Sequence, residues 1–296
     1  MLELNPEEYI GNTPLIKYND KIYIKLEYLN YTGSIKDRPV WYMLKKAEES
    51  KKIRHGWTTL VEASSGNTGI SLATFGRLKS YSVKIIMPED MSEERKKIIS
   101  SLGAELIFVK AGAFLEAIEL RNKLCQEHEN FYNFNQFNAK ENIEAHYYGT
   151  GKEIEKQCKQ NNLKPAGFIC GTGTGGTFMG VSKRLRKAFP GLRCCVLEPE
   201  ESAVMSGGKP GLHQIQGIGD GSKYLVDLKK VDKIFTVSSL EAITEAKEIS
   251  KQLGYFVGIS SAANLIAAKR MTEEFELDGP IITIFCDSGS RYLSMF

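Results

Sequence analysis

The sequence lacks any apolar run of the roughly 20 residues that a membrane-spanning helix needs. It also lacks an excess of one charge, because 39 basic and 36 acidic residues leave a net charge of only +3. The first absence argues against an integral membrane protein, and the second against a nucleic acid or a membrane surface as partner. The opening residues, MLELNPEEY, are acidic and carry no signal-peptide core, so we expect a cytoplasmic protein.

Cysteine and histidine are sparse and scattered. The six cysteines show no CxxC spacing, and there are only four histidines. Metal sites need such residues in clusters, so no metal site is predicted. Four of the cysteines fall in or beside apolar, strand-like runs, and we expect the cysteines to be buried, reduced thiols.

Short β-rich runs alternate with helical ones along the 296 residues. The strand-like runs are TTLVEA, YSVKIIMP, AELIFVK, AGFIC, LRCCVLEP, KIFTV and IITIFC. The predicted helices cover 67–79, 92–101, 113–128 and 176–188. Strands that are apolar throughout and alternate with amphipathic helices predict parallel sheets covered on both faces. There are too many units for one sheet of usual width, so we predict an α/β protein of two domains with a cleft between them.

Three glycine-rich stretches could carry chemistry: EASSGNTGIS at 62–71, CGTGTGGTFMG at 170–180 and QGIGDG at 216–221. The first two follow a strand and open a helix, where free backbone N–H groups bind anions. In the second, Gly171, Gly173 and Gly176 match GxGxxG, and Glu198 follows near the end of the next strand. Taken alone, this pattern is compatible with a nicotinamide-dependent dehydrogenase, or with a tight turn that binds nothing.

The first stretch is rich in side-chain donors. It holds Ser64, Ser65, Asn67 and Thr68 within five residues, whereas helix capping needs one. The excess favours a carboxylate ligand. Separately, Lys36 in GSIKDR begins a predicted helix, where the helix dipole favours the neutral, nucleophilic amine. Taken alone, this position is more typical of an exposed lysine in a first helical turn.

Seven motifs follow one another along nearly the whole chain: GNTPL (11–15), GSIKDR (33–38), SSGNTG (64–69), QFNAKENIEAHYYGTGKEI (136–154), GTGTGGT (171–177), GISSAAN (258–264) and RYLS (291–294). Together they resemble the cysteine synthase / cystathionine β-synthase family, fold type II enzymes that use pyridoxal 5'-phosphate (PLP). All seven in order outweigh the dehydrogenase interpretation.

The resemblance implies two three-layer α/β/α domains with mostly parallel sheets and PLP in the cleft between them. The larger, PLP-binding domain would comprise 1–38 and 139–296, and the smaller, substrate-loop domain 39–138. It also implies a small amino-acid substrate and a homodimer.

The resemblance further implies roles for single residues. Lys36 would form the Schiff base with PLP and move the Cα proton, Asn67 would bind the ring oxygen, and Ser260 would face the ring nitrogen. The phosphate would bind to Gly173, Thr174, Gly175, Gly176 and Thr177. The substrate carboxylate would bind to Ser64, Ser65, Thr68 and Gln136. A hydroxyl partner leaves the ring a weaker electron sink, which favours loss of a β-substituent over transamination.

The third glycine loop departs from the family pattern. Cysteine synthases usually read GIGAG there and cystathionine synthases place an aromatic residue after GIG, whereas here Asp220 stands in GIGDG. Tyr31, Thr32 and Ala262 are lesser departures, where Pro-Gly and glycine are usual. A carboxylate beside the substrate Cβ would activate water as a general base and repel hydrosulfide.

The resemblance therefore implies an enzyme that takes hydrogen sulfide from L-cysteine and adds water to the α-aminoacrylate to give L-serine. The alternatives are a cysteine synthase acting on O-acetylserine and sulfide, lanthionine formation with a second cysteine, and a catalytically silent PLP-fold scaffold. Lys36 and the intact phosphate loop argue against the scaffold. Asp220 could also be only a turn residue that tolerates unusual backbone angles.

Overall fold

The computed structural model describes residues 5–64 and 66–296, in which strands and helices alternate. The strands are β1 (Leu15–Lys17), β2 (Ile22–Leu26), β3 (Thr59–Ala63), β4 (Ser82–Pro88), β5 (Glu105–Val109), β6 (Phe131–Asn133), β7 (Gly167–Gly171), β8 (Arg193–Pro199), β9 (Lys233–Val237) and β10 (Ile281–Phe285). The α-helices are α1 (Asp37–Glu49), α2 (Asn67–Leu78), α3 (Glu93–Ser101), α4 (Phe114–Glu127), α5 (Lys140–Ala145), α6 (Gly151–Gln160), α7 (Gly176–Ala188), α8 (Ser239–Leu253) and α9 (Ile259–Glu274).

The larger sheet has six strands in the order β1-β2-β10-β7-β8-β9. Only the β1–β2 pair within it is antiparallel. Successive residues of β7 enter two different buried clusters: Ile169 packs with residues of α8 and α9, whereas Phe168 packs with residues of α6 and α7. Because side chains alternate between the faces of a strand, helices cover both faces of this sheet.

The smaller sheet has four parallel strands in the order β5-β4-β3-β6. One buried cluster on it gathers Leu44 of α1, Phe75 of α2 and Ile99 of α3, and a second contains Ala117 of α4. Two α/β units with mostly parallel sheets are thus confirmed. The domain boundaries at 38/39 and 138/139 stay a prediction.

The helices and strands predicted from the sequence lie within about two residues of their predicted bounds. Strands β1, β2 and β6 and helices α5 and α6 were not predicted, and neither were two later helices, α8 and α9. The first begins with a capping box between Ser238 and Glu241 and ends at Gly254 in the left-handed conformation. The second is buried over most of its surface, with Ala262, Ala263 and other small residues, so it shows no amphipathic period.

The cysteines are reduced in this structure. Cys158, Cys170, Cys194 and Cys195 are buried as expected. Cys125 and Cys286 are partly exposed, which corrects the expectation of burial for these two. Among residues 5–64 and 66–296, no helix combines the length and the apolar character needed to cross a membrane.

Candidate active site

The carboxyl ends of β3, β7 and β10 open into a common cleft. The segments that follow these strands supply Asn67, Thr174 and Cys286 to one cavity, which Lys36 and Ser260 also line. The cavity has a volume of about 30 Å³. Parallel sheets generally bind ligands at the carboxyl ends of their strands, so this is the position that the fold favours for a site.

The loop between β7 and α7 has the geometry of an anion site. Gly175 has φ +87°, a left-handed conformation that favours glycine, and an added Cβ there would lie 2.6 Å from Val226 Cγ2. The helix begins at the next residue and runs for 13 residues, so its first N–H groups and its dipole point into the loop. Thr174 Oγ1 accepts a hydrogen bond from Asn142 Nδ2 at 3.1 Å, which fixes the hydroxyl at this end.

Thr177, the second residue of α7, is hydrogen-bonded to a buried imidazole. Its Oγ1 lies 3.2 Å from His146 Nε2, and His146 Nδ1 lies 2.9 Å from Thr150 Oγ1. Burial holds the pKa of His146 well below its usual range, and the charges of Lys36 and Arg38 act in the same direction. A neutral imidazole can therefore orient Thr177 without adding a positive charge to the loop.

Lys36 and Ser260 lie at the amino ends of two helices. Lys36 is the residue before α1, and it lines both the 30 Å³ cavity and a second cavity of about 20 Å³. Ser260 is the second residue of α9 and is 3% exposed. Both residues lie in the wall of the first cavity, together with Asn67 and the β7–α7 loop.

Asn67 is held from both sides by the segment that follows β10. Its Nδ2 donates to Asp287 Oδ2 at 2.6 Å, and its Oδ1 accepts a hydrogen bond from Arg291 Nη1. The amide thus has one oxygen and one N–H committed, and its other N–H remains for the cavity that it lines. Tyr292 also donates its hydroxyl proton to Asp287, and Arg95 Nη2 donates to the Tyr292 oxygen at 2.7 Å.

The second cavity gathers the predicted carboxylate-binding residues that the structure describes. Ser64, Thr68 and Gln136 line it, whereas Ser65 lies outside the described residues. Thr68 Oγ1 donates to Gln136 Oε1 at 2.7 Å. The backbone N–H of Gln136 donates at 2.8 Å to Glu62, which in turn pairs with Arg121 at 2.7 Å. Burial raises the pKa of Glu62, and these donors oppose that shift.

Asp220 lies in the wall of this second cavity with Lys36. An added Cβ on Gly173 would lie 3.0 Å from Asp220 Oδ2, so the carboxylate packs against the β7–α7 loop. Burial raises the pKa of Asp220, and the charges of His213, Lys36 and Arg95 oppose the rise. The result is a carboxylate of raised basicity in the same cavity wall as the lysine.

Several residues of the site gave no sequence signal. Arg95 is 1% exposed and lines the second cavity, yet it stands in the charged run SEERKK, which is typical of a solvated helix. Phe114 and Phe137 line the same cavity. Asp287 precedes the RYLS motif. That motif matches the family pattern, but no role was predicted for its residues. Among the residues described, no group of histidine, cysteine, aspartate or glutamate could hold a metal ion.

Comparisons with known proteins agree on one family. The family model described as "Pyridoxal-phosphate dependent enzyme" matches residues 6–287. The cysteine synthase of Staphylococcus aureus is 36% identical over 298 residues, covering 98% of this chain and 95% of that protein. Cysteine synthase B of Campylobacter jejuni is 39% identical over 292 residues, covering 97% of this chain and 96% of that protein.

A solved structure gives the same result. The hydrogen sulfide-producing enzyme from Fusobacterium nucleatum is 41% identical, has a TM-score of 0.92, and matches over 97% of this chain and 89% of that chain. An Asp-to-Asn variant of a hydrogen sulfide-producing enzyme, solved with an α-aminoacrylate intermediate, matches with the same identity of 41% and TM-score of 0.92.

The residues present fit PLP. The glycine-rich loop at the start of α7, with the hydroxyls of Thr174 and Thr177, matches a phosphate group in charge and donor type. Lys36 lines the same cavity and provides the amine that an aldehyde requires. The wall of one cavity thus contains both an anion site and a nucleophile.

Proposed function

The chain belongs to the cysteine synthase / cystathionine β-synthase family of PLP-dependent enzymes, which catalyse β-replacement, and we propose that it converts L-cysteine and water into L-serine and hydrogen sulfide. One observation carries the choice of water: Asp220 shares the wall of the 20 Å³ cavity with Lys36 and the carboxylate-binding side chains. The similarity to a hydrogen sulfide-producing enzyme supports hydrogen sulfide as a product.

We assign the cofactor to the first cavity and the substrate carboxylate to the second. We assign the phosphate to Gly173, Thr174, Gly175, Gly176 and Thr177, because these residues form the anion site at the start of α7. Asn67 and Ser260 orient the ring. We assign the substrate carboxylate to Ser64, Thr68 and Gln136. Thr68 Oγ1 donates to Gln136 Oε1, the backbone N–H of Gln136 donates to Glu62, and Ser64 Oγ accepts from the backbone N–H of Gly69.

Bound PLP supplies an electron sink that makes the Cα proton of the substrate acidic and allows a β-substituent to leave. Lys36 Nζ takes that proton from Cα and returns it at the end of the reaction. The Cβ–S bond breaks, and the sulfur departs with the bonding electrons as hydrosulfide. None of these steps needs Asp220.

Asp220 acts on the second half of the reaction. Water is a poor nucleophile at neutral pH, so a base must accept its proton as the Cβ–O bond forms. The raised pKa of Asp220 makes its carboxylate a stronger base than an exposed aspartate. The proton passes from water to the carboxylate and then to hydrosulfide or solvent. The sum is one L-cysteine and one water consumed, and one L-serine and one hydrogen sulfide released.

The Asp220 carboxylate also disfavours a reaction in which hydrosulfide enters the site as the nucleophile. Hydrosulfide is an anion, and a second negative charge in a small cavity repels it. The curated relatives named cysteine synthase nevertheless make that activity the second candidate, with O-acetylserine and sulfide as substrates. Attack by a second cysteine, which would give lanthionine, is the third. A homodimer stays a prediction from the family resemblance, and sedimentation measures it.

The test is product identification with the holoenzyme and L-cysteine alone. We expect sulfide and L-serine in equal amounts, and in heavy-oxygen water the serine hydroxyl should carry the label. Pyruvate and ammonia as main products would refute hydration, and lanthionine would identify cysteine as the nucleophile. A parallel assay with O-acetylserine and sulfide tests the second candidate. A cysteine synthase should turn over O-acetylserine and sulfide faster than L-cysteine alone.

A further inference from the structure

The substrate cavity and a larger outer cleft adjoin each other. The inner cavity has a volume of about 20 Å³ and the outer cleft about 410 Å³. Among the described residues, the two spaces share Phe114, Gly217 and Asp220. Gly217 contributes no side chain, and an added Cβ there would meet nothing within 4 Å. The side-chain wall between the two spaces therefore consists of the Phe114 ring and the Asp220 carboxylate.

The Phe114 ring is held by a row of aromatic side chains. It meets Phe137 edge-on, with ring centroids 5.6 Å apart and an interplanar angle of 75°. Phe137 packs in turn on Tyr224, at 4.5 Å between centroids. The Tyr224 hydroxyl donates to the backbone oxygen of Asp220 at 3.1 Å. The row thus runs from the first residue of α4 to the loop that carries the proposed base.

We propose that Phe114 is a specificity-determining residue that limits the size of the group on the substrate Cβ. The inference deepens the proposed function, on which it rests for the identity of the substrate. The Phe114 ring lines both the inner cavity, at about 20 Å³, and the larger outer cleft, so it stands where a long group on Cβ would pass from one space to the other. With the ring in place, hydrosulfide can leave and water can enter, whereas an acetyl group or a second amino acid would have to displace the ring.

The outer cleft offers the room that the inner cavity lacks. Its wall includes Leu115, Met91 and Leu212, so an alkyl chain that passed the ring would meet apolar side chains. Removal of the ring would join the two spaces without touching the carboxylate-binding side chains. Leu115 provides a matched control, because it follows Phe114 in α4, is 65% exposed and lines the outer cleft rather than the inner cavity.

The experiment measures binding of unreactive amino acids to the holoenzyme by calorimetry. L-Alanine and L-norleucine share the amine and carboxylate and differ only in side-chain length, and neither has a β leaving group. We expect the wild type to prefer L-alanine. Phe114→Ala should raise the affinity for L-norleucine about tenfold or more, because several methylenes then gain apolar contacts. Affinity for L-alanine should stay within about twofold, and Leu115→Ala should behave as the wild type.

Equal binding of both ligands by the wild type would overturn the proposal, as would an unchanged preference in Phe114→Ala. An equal gain in Leu115→Ala would also overturn it. If Phe114→Ala fails to fold, Phe114→Met keeps the volume and should give an intermediate preference through its flexible side chain. The readout is independent of turnover. A wild type that makes no serine but rejects L-norleucine would refute the proposed function and leave the role of Phe114 intact.

Discussion

Asn67 and Asp287 are hydrogen-bonded across 220 positions of the chain, with Nδ2 to Oδ2 at 2.6 Å. The first residue begins a helix packed on the four-stranded sheet, and the second follows the last strand of the six-stranded sheet. The bond therefore joins the two halves of the molecule at the cofactor cavity. It also decides which atoms of the Asn67 amide remain for a ligand.

Removal of the Asp287 carboxylate should destabilise the protein strongly. Asp287 is fully buried and accepts from Asn67 and Tyr292, so Asp287→Ala leaves the partly buried Asn67 amide and the buried Tyr292 hydroxyl without this acceptor. We expect a loss of about 2–4 kcal/mol in the free energy of unfolding, measured by urea denaturation. The exposed Asp278→Ala should stay within about 0.5 kcal/mol of wild type. A similar loss in both variants would contradict the special position of Asp287.

Asp220→Asn should uncouple sulfide release from serine formation. The amide keeps the size of the carboxylate but accepts no proton, so we expect a first turnover of sulfide followed by hydration slowed about 10²–10⁴-fold. Rapid-quench analysis of sulfide and serine measures the two steps. Asp278→Asn serves as the control. Wild-type serine formation in Asp220→Asn would return Asp220 to the role of a turn residue.

The Asp220 carboxylate should determine how serine formation slows at acid pH. The ionised carboxylate is the active form, and its pKa lies above the ordinary 3.8 because of burial. Serine formation should therefore fall as pH decreases through that raised pKa, at a higher pH than an exposed aspartate would give. The profile of kcat against pH checks this. An identical acid limb in Asp220→Asn would assign the limb to another group.

His146 should make the protein sensitive to mild acid. The folded protein keeps this imidazole neutral well below its usual pKa of 6.5, whereas the unfolded chain binds a proton there. Stability is thus lost as pH falls below about 6.5, by up to about 1.4 kcal/mol per pH unit from this group. Urea unfolding at pH 7.5 and 5.5 should show a smaller difference for His146→Gln than for wild type. An equal difference would refute the assignment.

The buried thiols should be unreactive in the native protein. Burial raises the pKa of Cys158, Cys194 and Cys195 to about 12, and that of the partly exposed Cys125 to about 11. At pH 8 almost none is thiolate, which is the reactive form. Ellman's reagent should react slowly with the folded protein and detect all six cysteines after denaturation. A fast native reaction at any of these four would contradict the burial described.

Local patterns predicted the glycine loops, most strands and the position of Lys36, because each depends on a few neighbouring residues. Such patterns could not predict that six strands form one sheet and four strands the other. They also could not predict that Arg95 and Phe114 line the substrate cavity. Both residues stand at the beginnings of helices on the smaller sheet and meet the substrate cavity only through the packing of the two halves. Asp287 shows the same limit, since its partners are 5 and 220 positions away.

The hydrogen bond between Asn67 and Asp287 also determines when the cofactor cavity can form during synthesis of the chain. A ribosome adds residues at about 5–20 per second, so the 220 positions between these partners take roughly 10–45 s. During that interval the four-stranded half of the nascent chain is complete, yet Asn67 and Arg95 lack the acceptor and the hydroxyl that later hold them. The cofactor cavity is therefore assembled late, after both sheets exist, and binding of PLP should follow chain release rather than guide early folding.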